Sequence, residues 1–531
     1  MDTTAQFIPY GQTGYFSKMV TDYIAAEKTL QPFYSHPVSI DGIKAAIEER
    51  KLFATDRPLL VEILNNQYKN TTLTEKQKNY LQQLGNNNTF TICTAHQPNI
   101  FTGHLYFIYK ILHAVKLAEE LQTALPENNF VPVFYMGSED ADLDELGHVF
   151  INGEKFEWAT KQTGAVGRMI VDKALVQLMD TISGQLLVHP FGADIIGLMK
   201  DCYQLGVTIE LATFKLVNAL FAQYGLLILL PDNAIVKKAF APVMKKELIE
   251  GFSHIAVQQS VEQFPAEYKV QASGRAINLF YLLDDKRERI EQAGTDFLIV
   301  NTDLKFTKLQ LLQELNDYPE RFSPNVILRP VLQETILPDI AFIGGGGEIA
   351  YWLELKKVFE AVQVPYPMLI VRNSFLIITK QLHVSAQKLH LKNVDLFASQ
   401  LELINRLVKR DSTVQLNLEK EKKQITALYD HIKAVAANID ATLQKHTSAL
   451  QTRAIDKITG LEKKMLRAEK KKFDAQQRQL VKLKMQLFPN NNLQERAGNL
   501  MPYYASWGNG FIEMIYNHSK GLEQEFGMIL E

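Results

Sequence analysis

A chain of 531 residues, 46% hydrophobic and 22% charged, holds more apolar material than one compact core needs, and its composition excludes long-range disorder. Its 57 Lys+Arg against 59 Asp+Glu leave a net charge of -2, which removes any electrostatic reason to expect nucleic acid as a partner. Two cysteines, Cys93 and Cys202, exclude a disulfide framework and a cysteine-rich zinc site, and predict reduced thiols.

The opening MDTTAQFIPYGQTGYF has no basic region followed by an apolar run, so no secretory signal is expected. No run of about 18 uncharged apolar residues predicts a membrane span, and a cytoplasmic location is expected. Residues 1–90 read as helical with polar loops. TFTICTA (89–95) is a short buried strand, followed by a polar loop. From 104 to 121 Leu105, Ile108, Leu112 and Val115 fall on one helical face. FVPVFYMG (130–137) is the next strand, which completes a βαβ unit. Further strands are expected in 224–232, 296–303 and 364–374. The segment 327–362 reads as turn, short strand, glycine loop and helix. The fold class is therefore α/β with a largely parallel sheet.

After Pro367 no proline recurs until Pro489, and Gly460 is the only glycine between them. Ile425, Leu428, Ile432, Val435 and Ile439 repeat at spacings of 3 and 4, the seam of a coiled coil. Ile458, Leu461, Met465 and Ala468 continue it, and Leu480, Leu483 and Leu487 resume it. Two long antiparallel helices are expected, turning between about 445 and 460. The domains read as an α/β core over 1–384 with insertions at about 151–220 and 240–295, a helical hairpin over 385–488, and a tail over 489–531 that packs back on the core. The basic run from Lys463 to Lys472 reads as a solvated helix face.

Three segments carry polar groups in the pattern that chemistry requires. In open α/β sheets ligands bind outside the carboxyl ends of strands. The loop after the first strand supplies His96, Gln97, Asn99, Thr102, Gly103 and His104 there, ahead of a helix start that favours anions. The loop after the second supplies Glu139, Asp140 and Asp142, carboxylates able to bind an amine or take its proton. Asn325 and Arg329 follow in SPNVILRPVLQET, where arginine suits a carboxylate. Then comes the glycine run with Gly345, Gly346, Gly347, Glu348 and Tyr351, a backbone donor surface for a substrate anion. Gly345, Gly347 and Ala350 match G-x-G-x-x-A in form. The acidic residue expected about 20 positions on is replaced by Ile370, Val371 and Arg372, so no dinucleotide site is assigned. Cys93 lies within an apolar strand and reads as core. No metal site is expected.

The stretches TAHQPNIFTGHLYFIYKILHAVKLA, PVFYMGSEDADLDELGHV and FSPNVILRPVLQETILPDIAFIGGGGEIAYW resemble the bacillithiol-biosynthesis cysteine-adding enzymes. The seam and the FPNNNLQER tail are also similar to that family. One departure is A-H-Q-P-N at Ala95–Asn99, where many members carry a run like G-Q-Q-[AP]-G. The resemblance implies a Rossmann-like core akin to nucleotidyltransferases and a coiled coil that forms a homodimer. It also implies a ligase that adds L-cysteine to the amine of glucosaminyl malate. ATP with magnesium is the expected cosubstrate, with Thr102, Gly103 and His104 near its phosphates. Glu139, Asp140 or Asp142 would serve the sugar amine, and Asn325 and Arg329 the malate carboxylates. Two other readings compete: an α/β transferase acting on another amino compound, and a non-catalytic coiled-coil scaffold.

Overall fold

The computed structural model describes residues 3–272 and 274–531. Contact density divides them into a larger unit, 1–376 with 492–529, and a smaller one, 377–491 with 530–531. No helix among the described residues is long and apolar enough to cross a membrane.

In the larger unit the chain first runs through short helices over 18–83. It then forms strand β1 (Thr89–His96), helix α1 (Tyr106–Ala124) and strand β2 (Asn129–Met136). Next come helix α2 (Ile209–Phe221), strand β3 (Leu227–Leu229) and helix α3 (Ala234–Glu250). An antiparallel sheet follows, made of β4 (Leu279–Leu283), β5 (Lys286–Ala293), β6 (Asp296–Ile299), β7 (Lys305–Thr307) and β8 (Phe322–Pro324). Helix α4 (Arg329–Ile336), strand β9 (Asp339–Gly344), helix α5 (Gly346–Trp352) and strand β10 (Met368–Val371) return the chain to the core.

The core sheet is parallel, in the order β10-β9-β1-β2-β3. Its strands are apolar on both faces because helices cover both. Ala114, Leu117, Ala118 and Leu121 of α1 pack with Phe90, Ile92, Phe130, Ile340 and Ile343. Each Leu, Ile or Phe side chain among them contributes about 1.5–3 kcal/mol of burial. The register sets His96 against Met136, Thr94 against Ile343, Val371 against Gly344 and Leu229 against Tyr135. Five carboxyl ends are thereby aligned along one edge. The chain starts in the middle, grows toward β3, then jumps back to β9, so the winding reverses between β1 and β9. That is where open α/β sheets bind ligands.

Three expectations change. Residues 329–336 form a helix rather than a turn, because Pro330 sits in the first turn, where proline lacks no needed donor. The strand expected over 296–303 is β6, which pairs antiparallel with β5 and β7 and lies outside the parallel sheet. The strand expected over 224–232 shortens to the three residues of β3.

In the smaller unit, α6 (Glu419–Ala437) and α7 (Leu443–Lys470) form an antiparallel hairpin, and α8 (Asp474–Leu487) continues it after a 3-10 turn. Gln451 Nε2 donates to Asp430 Oδ1 at 3.1 Å, and the Leu418 amide donates to Glu462 Oε1 at 2.6 Å, which fixes the register. The turn falls at 438–442, ahead of the expected 445–460. Asp440 accepts from both the amide and hydroxyl of Thr442 at 2.7 and 2.8 Å and starts the second arm there. Gly460 is simply carried inside α7. Leu480, Leu483 and Leu487 are buried, whereas Leu428, Ile432, Val435 and Ile439 stay exposed.

The segment 492–529 belongs to the larger unit. Glu495, fully buried, accepts from Arg372 at 2.7 Å, and Arg372 also donates to Ser374 Oγ at 2.9 Å. Removing one partner of such a pair leaves a bare buried charge. A Glu495→Leu variant should lose about 3–5 kcal/mol of stability, read as a lower denaturant midpoint. An unchanged midpoint would show that the pair does not hold this segment.

Candidate functional site

A cavity of about 590 Å³ opens at the aligned strand ends. Every strand of the parallel sheet leads a residue into its lining. His96 and Gln97 follow β1, Glu139 and Asp140 follow β2, and Pro231 follows β3. Gly345, Gly347 and Glu348 follow β9, and Arg372 follows β10. Phe280, Arg287 and Pro324 come from the antiparallel sheet, Arg329 and Tyr351 from α4 and α5, and Arg275 and Arg496 complete the cationic groups.

Lys110 anchors this edge. It is 1% exposed, and its ammonium donates to the Ala95 carbonyl and to Glu348 Oε2 at 2.7 Å. Glu348 in turn accepts the Gly345 amide at 2.8 Å. One buried cation therefore ties the ends of β1 and β9 together where the winding reverses. The glycine run is capped by its own glutamate, so the N-cap amide ahead of α5 already has an anion. Gly347 faces open space. Sequence reasoning missed Lys110, although it is the one charge in the apolar run 105–115.

The acidic loop is held from behind. Glu139 is ion-paired with the fully buried Lys237 of α3, which also donates to the Phe322 carbonyl at 2.8 Å. Burial pushes the Glu139 carboxyl up, against the pull of Lys237. The Val166 and Gly167 amides donate to the Asp140 and Ser138 carbonyls at 2.7 and 2.9 Å. A Cβ at Gly167 would meet Ser138 at 2.5 Å, so only glycine lets this strap close. Arg168 grips Asp232 through two bonds of 2.7 Å. Asp140 lines the cavity and accepts from Gln97 Nε2 at 3.2 Å and from the Asp142 amide at 3.3 Å. Glu145 also lines the cavity, and burial raises its carboxyl.

The guanidiniums divide into two kinds. Arg372 is matched by Glu495. Arg287 donates only to Ser323 Oγ at 3.1 Å and the Pro324 carbonyl at 3.2 Å, above the Phe280 ring. Arg329 donates only to Gln333 Oε1 at 3.1 Å and the Tyr351 hydroxyl at 3.2 Å. Arg275 and Arg496 are exposed and have no side-chain bond among the described residues. Among the described residues, these four cavity guanidiniums thus have no carboxylate within ion-pair distance. His96 packs against the rings of Tyr106 and Phe107, and its buried Nε2 has no partner among the described residues. Burial, with Lys110 nearby, holds this imidazole neutral, well below its usual range.

Of the residues expected from sequence, His96, Gln97, Glu139, Asp140, Asn325, Arg329, Gly345, Gly347, Glu348 and Tyr351 line the cavity. The others have different places. Asp142 is exposed and caps the short helix after it, accepting from the Glu145 amide at 3.1 Å. Gly346 packs toward Val20, which a Cβ would meet at 3.1 Å. Asn99, Thr102, Gly103 and His104 lie off the lining. Phe101 and Thr102 adopt positive φ, and Gly103 follows at φ 60 with the Asn99 side chain where a Cβ would be. Asn499 Nδ2 donates to the carbonyls of Phe101 and Gly103 at 2.9 and 2.6 Å and locks this turn. His104 is pushed down to about 4 by burial. Asn325 reaches the cavity edge, but its side chain is committed to Asn278 and to the amides of Ile327 and Leu328. No cluster of His, Cys, Asp and Glu among the described residues has the form of a metal site.

Two family profiles cover the chain. The N-terminal Rossmann-like domain of bacillithiol biosynthesis BshC matches residues 3–373, and the C-terminal coiled-coil domain of the same family matches 375–531. A protein of Flavobacterium johnsoniae named "Putative cysteine ligase BshC" is 38% identical over 524 residues, 98% of this chain and 99% of its own. One of the same name from Cytophaga hutchinsonii is 39% identical over 492 residues, 92% of each chain.

Behind the acidic loop, Ser138 donates to Glu210 Oε1 at 2.5 Å, and burial pushes the Glu210 carboxyl up to about 7. An acid held above its ordinary value costs stability once the unfolded chain ionises. The cost is absent below about pH 4.5, grows up to about pH 7 and is level above it. A Glu210→Gln variant should gain up to about 3 kcal/mol over the wild type across that window. Denaturation of both proteins at several pH values checks this. A constant difference between them would place Glu210 at its ordinary value.

Proposed function

The chain belongs to the bacillithiol-biosynthesis BshC family, and on that premise we propose that it is a ligase joining L-cysteine to the amine of glucosaminyl malate through an amide bond. The observation that carries this reading is the charge layout of the cavity. Arg275, Arg287, Arg329 and Arg496 have no carboxylate within ion-pair distance among the described residues. A ligand with two carboxylates, such as a malate glycoside, suits such a wall. Asp140 stands at the end of β2, where an amine can be met.

In the coupling step the amine nitrogen attacks the activated carboxyl carbon of cysteine. The C–N bond forms, the leaving group departs with its electron pair, and the amine proton passes to Asp140. Glu139 is less suited to that task because Lys237 already holds it. The Arg287 and Arg329 guanidiniums orient the malate end, and neutral His96 offers a polar wall beside Gln97. ATP with magnesium is the activating cosubstrate in this proposal. Thr102, Gly103 and His104 lie off the cavity lining and take no phosphate in it.

The exposed row Leu428, Ile432 and Val435 on α6, continued by Ile439 in the turn, supports a homodimer formed through the hairpin. Replacing Ile432 and Val435 by Glu should convert a dimer to a monomer in analytical ultracentrifugation. A sedimentation coefficient that the substitutions leave unchanged would refute this surface.

The decisive assay mixes the protein with cysteine and glucosaminyl malate, with and without ATP and magnesium, and reads products by mass spectrometry. Coupled thiol is expected only with ATP. Asp140→Asn should lower the coupling rate by at least about 100-fold without shifting the melting temperature. Full activity in that variant would remove Asp140 from the chemistry. Product without ATP would overturn the activation scheme, and no product in either condition would favour a transferase with another amino substrate.

A further inference from the structure

A chain of hydrogen bonds runs from the cavity into the interior along α4, and the coupling chemistry above does not use it. Arg329 Nη1 donates to Gln333 Oε1 at 3.1 Å, one helical turn on, and Gln333 Nε2 donates to Glu334 Oε1 at 2.9 Å. Gln333 and Glu334 have no exposed surface. Asp339 at the start of β9 lies behind Glu334, and its Oδ1 accepts from Thr91 Oγ1 at 2.9 Å. Among the described residues, Glu334 Oε2 and Asp339 Oδ2 are buried and take no hydrogen bond from any third group. Each carboxyl feels the other, and burial raises both. Two buried acids in that arrangement share one proton. Arg50, 2% exposed, donates to the Glu334 carbonyl and balances the charge that remains.

We infer that Gln333 and Glu334 are positioning residues: Glu334 fixes the orientation of the Gln333 amide, which fixes the plane in which Arg329 presents its guanidinium to the cavity. The inference rests on the reading of Arg329 as a carboxylate-binding group. Its logic is one of donors and acceptors. A glutamine amide has one acceptor oxygen and one NH2. The Glu334 carboxylate oxygen can only accept, so the amide nitrogen turns toward it and the oxygen is left for Arg329. The reversed amide would set NH2 against guanidinium, donor against donor. The Tyr351 hydroxyl holds Nη2 at 3.2 Å, and the Tyr135 ring centre lies 5.5 Å from the guanidinium carbon. With Gln333 this makes a three-point mount. Arg329 has five N–H donors, and the mount takes two, which leaves three for a ligand carboxylate.

Isothermal titration tests this without the full reaction, with glucosaminyl malate and its dimethyl ester as the two probes. Gln333→Met and Glu334→Gln should each weaken glucosaminyl malate by about tenfold and leave the ester unchanged. Neither should add a further loss in an Arg329→Lys background, because they act through that guanidinium. Equal weakening of both probes, or losses that add to Arg329→Lys, would mean a merely structural role and overturn the inference. Unchanged affinity for glucosaminyl malate would overturn it as well. If Arg329→Lys alone leaves that affinity intact, the carboxylate reading of Arg329 fails first and the inference falls with it. Should Glu334→Gln not fold, Gln333→Met decides.

Discussion

A lysine with 1% of its surface exposed must find partners, and Lys110 finds them at the point on which the rest of the site depends. The Ala95 carbonyl ends β1, and the Glu348 carboxylate begins α5 after β9. These strands are neighbours in space but are separated by most of the larger unit in sequence. Their union closes the switch point of the sheet and brings His96, Gly345 and Gly347 to one cavity. The cost of burying the ammonium is met by two acceptors, and Glu348 passes its charge on to the Gly345 amide.

Around that anchor the charges sort by whether they already have a partner. Lys237 with Glu139, Arg168 with Asp232 and Arg372 with Glu495 are internal pairs that shape the walls. Arg275, Arg287, Arg329 and Arg496 have no carboxylate within ion-pair distance among the described residues. Asp140 sits across from them in character, held by Gln97 and by the backbone strap from 166–167.

The strained turn at Phe101–Gly103 supports this site from a distance. Its three positive φ values persist because Asn499 and Tyr203 satisfy its backbone groups. Asn499 comes from the C-terminal segment that Glu495 ties to Arg372. The end of the chain therefore holds both the entry to α1 and the last strand end of the sheet.

The sequence by itself determined the strands of the βαβ unit, because residues apolar on both faces can only be buried, and the long helices of the hairpin, because a repeat of 3 and 4 fits only a helix. It also marked the strand-end loops, where ten of the expected residues reach the cavity. Local pattern was misleading where a capping contact decides: Asp440 placed the hairpin turn, and Pro330 turned an expected loop into a helix. Asp142 and Asn325 look chemical in sequence, yet both spend their side chains on backbone amides. Only the tertiary structure decided which arginines stay unmatched, since pairing depends on residues more than a hundred positions apart, as with Lys110 and Glu348 or Arg372 and Glu495. Charge type is written in the chain, but whether a charge is spent or free is a property of its neighbours in space.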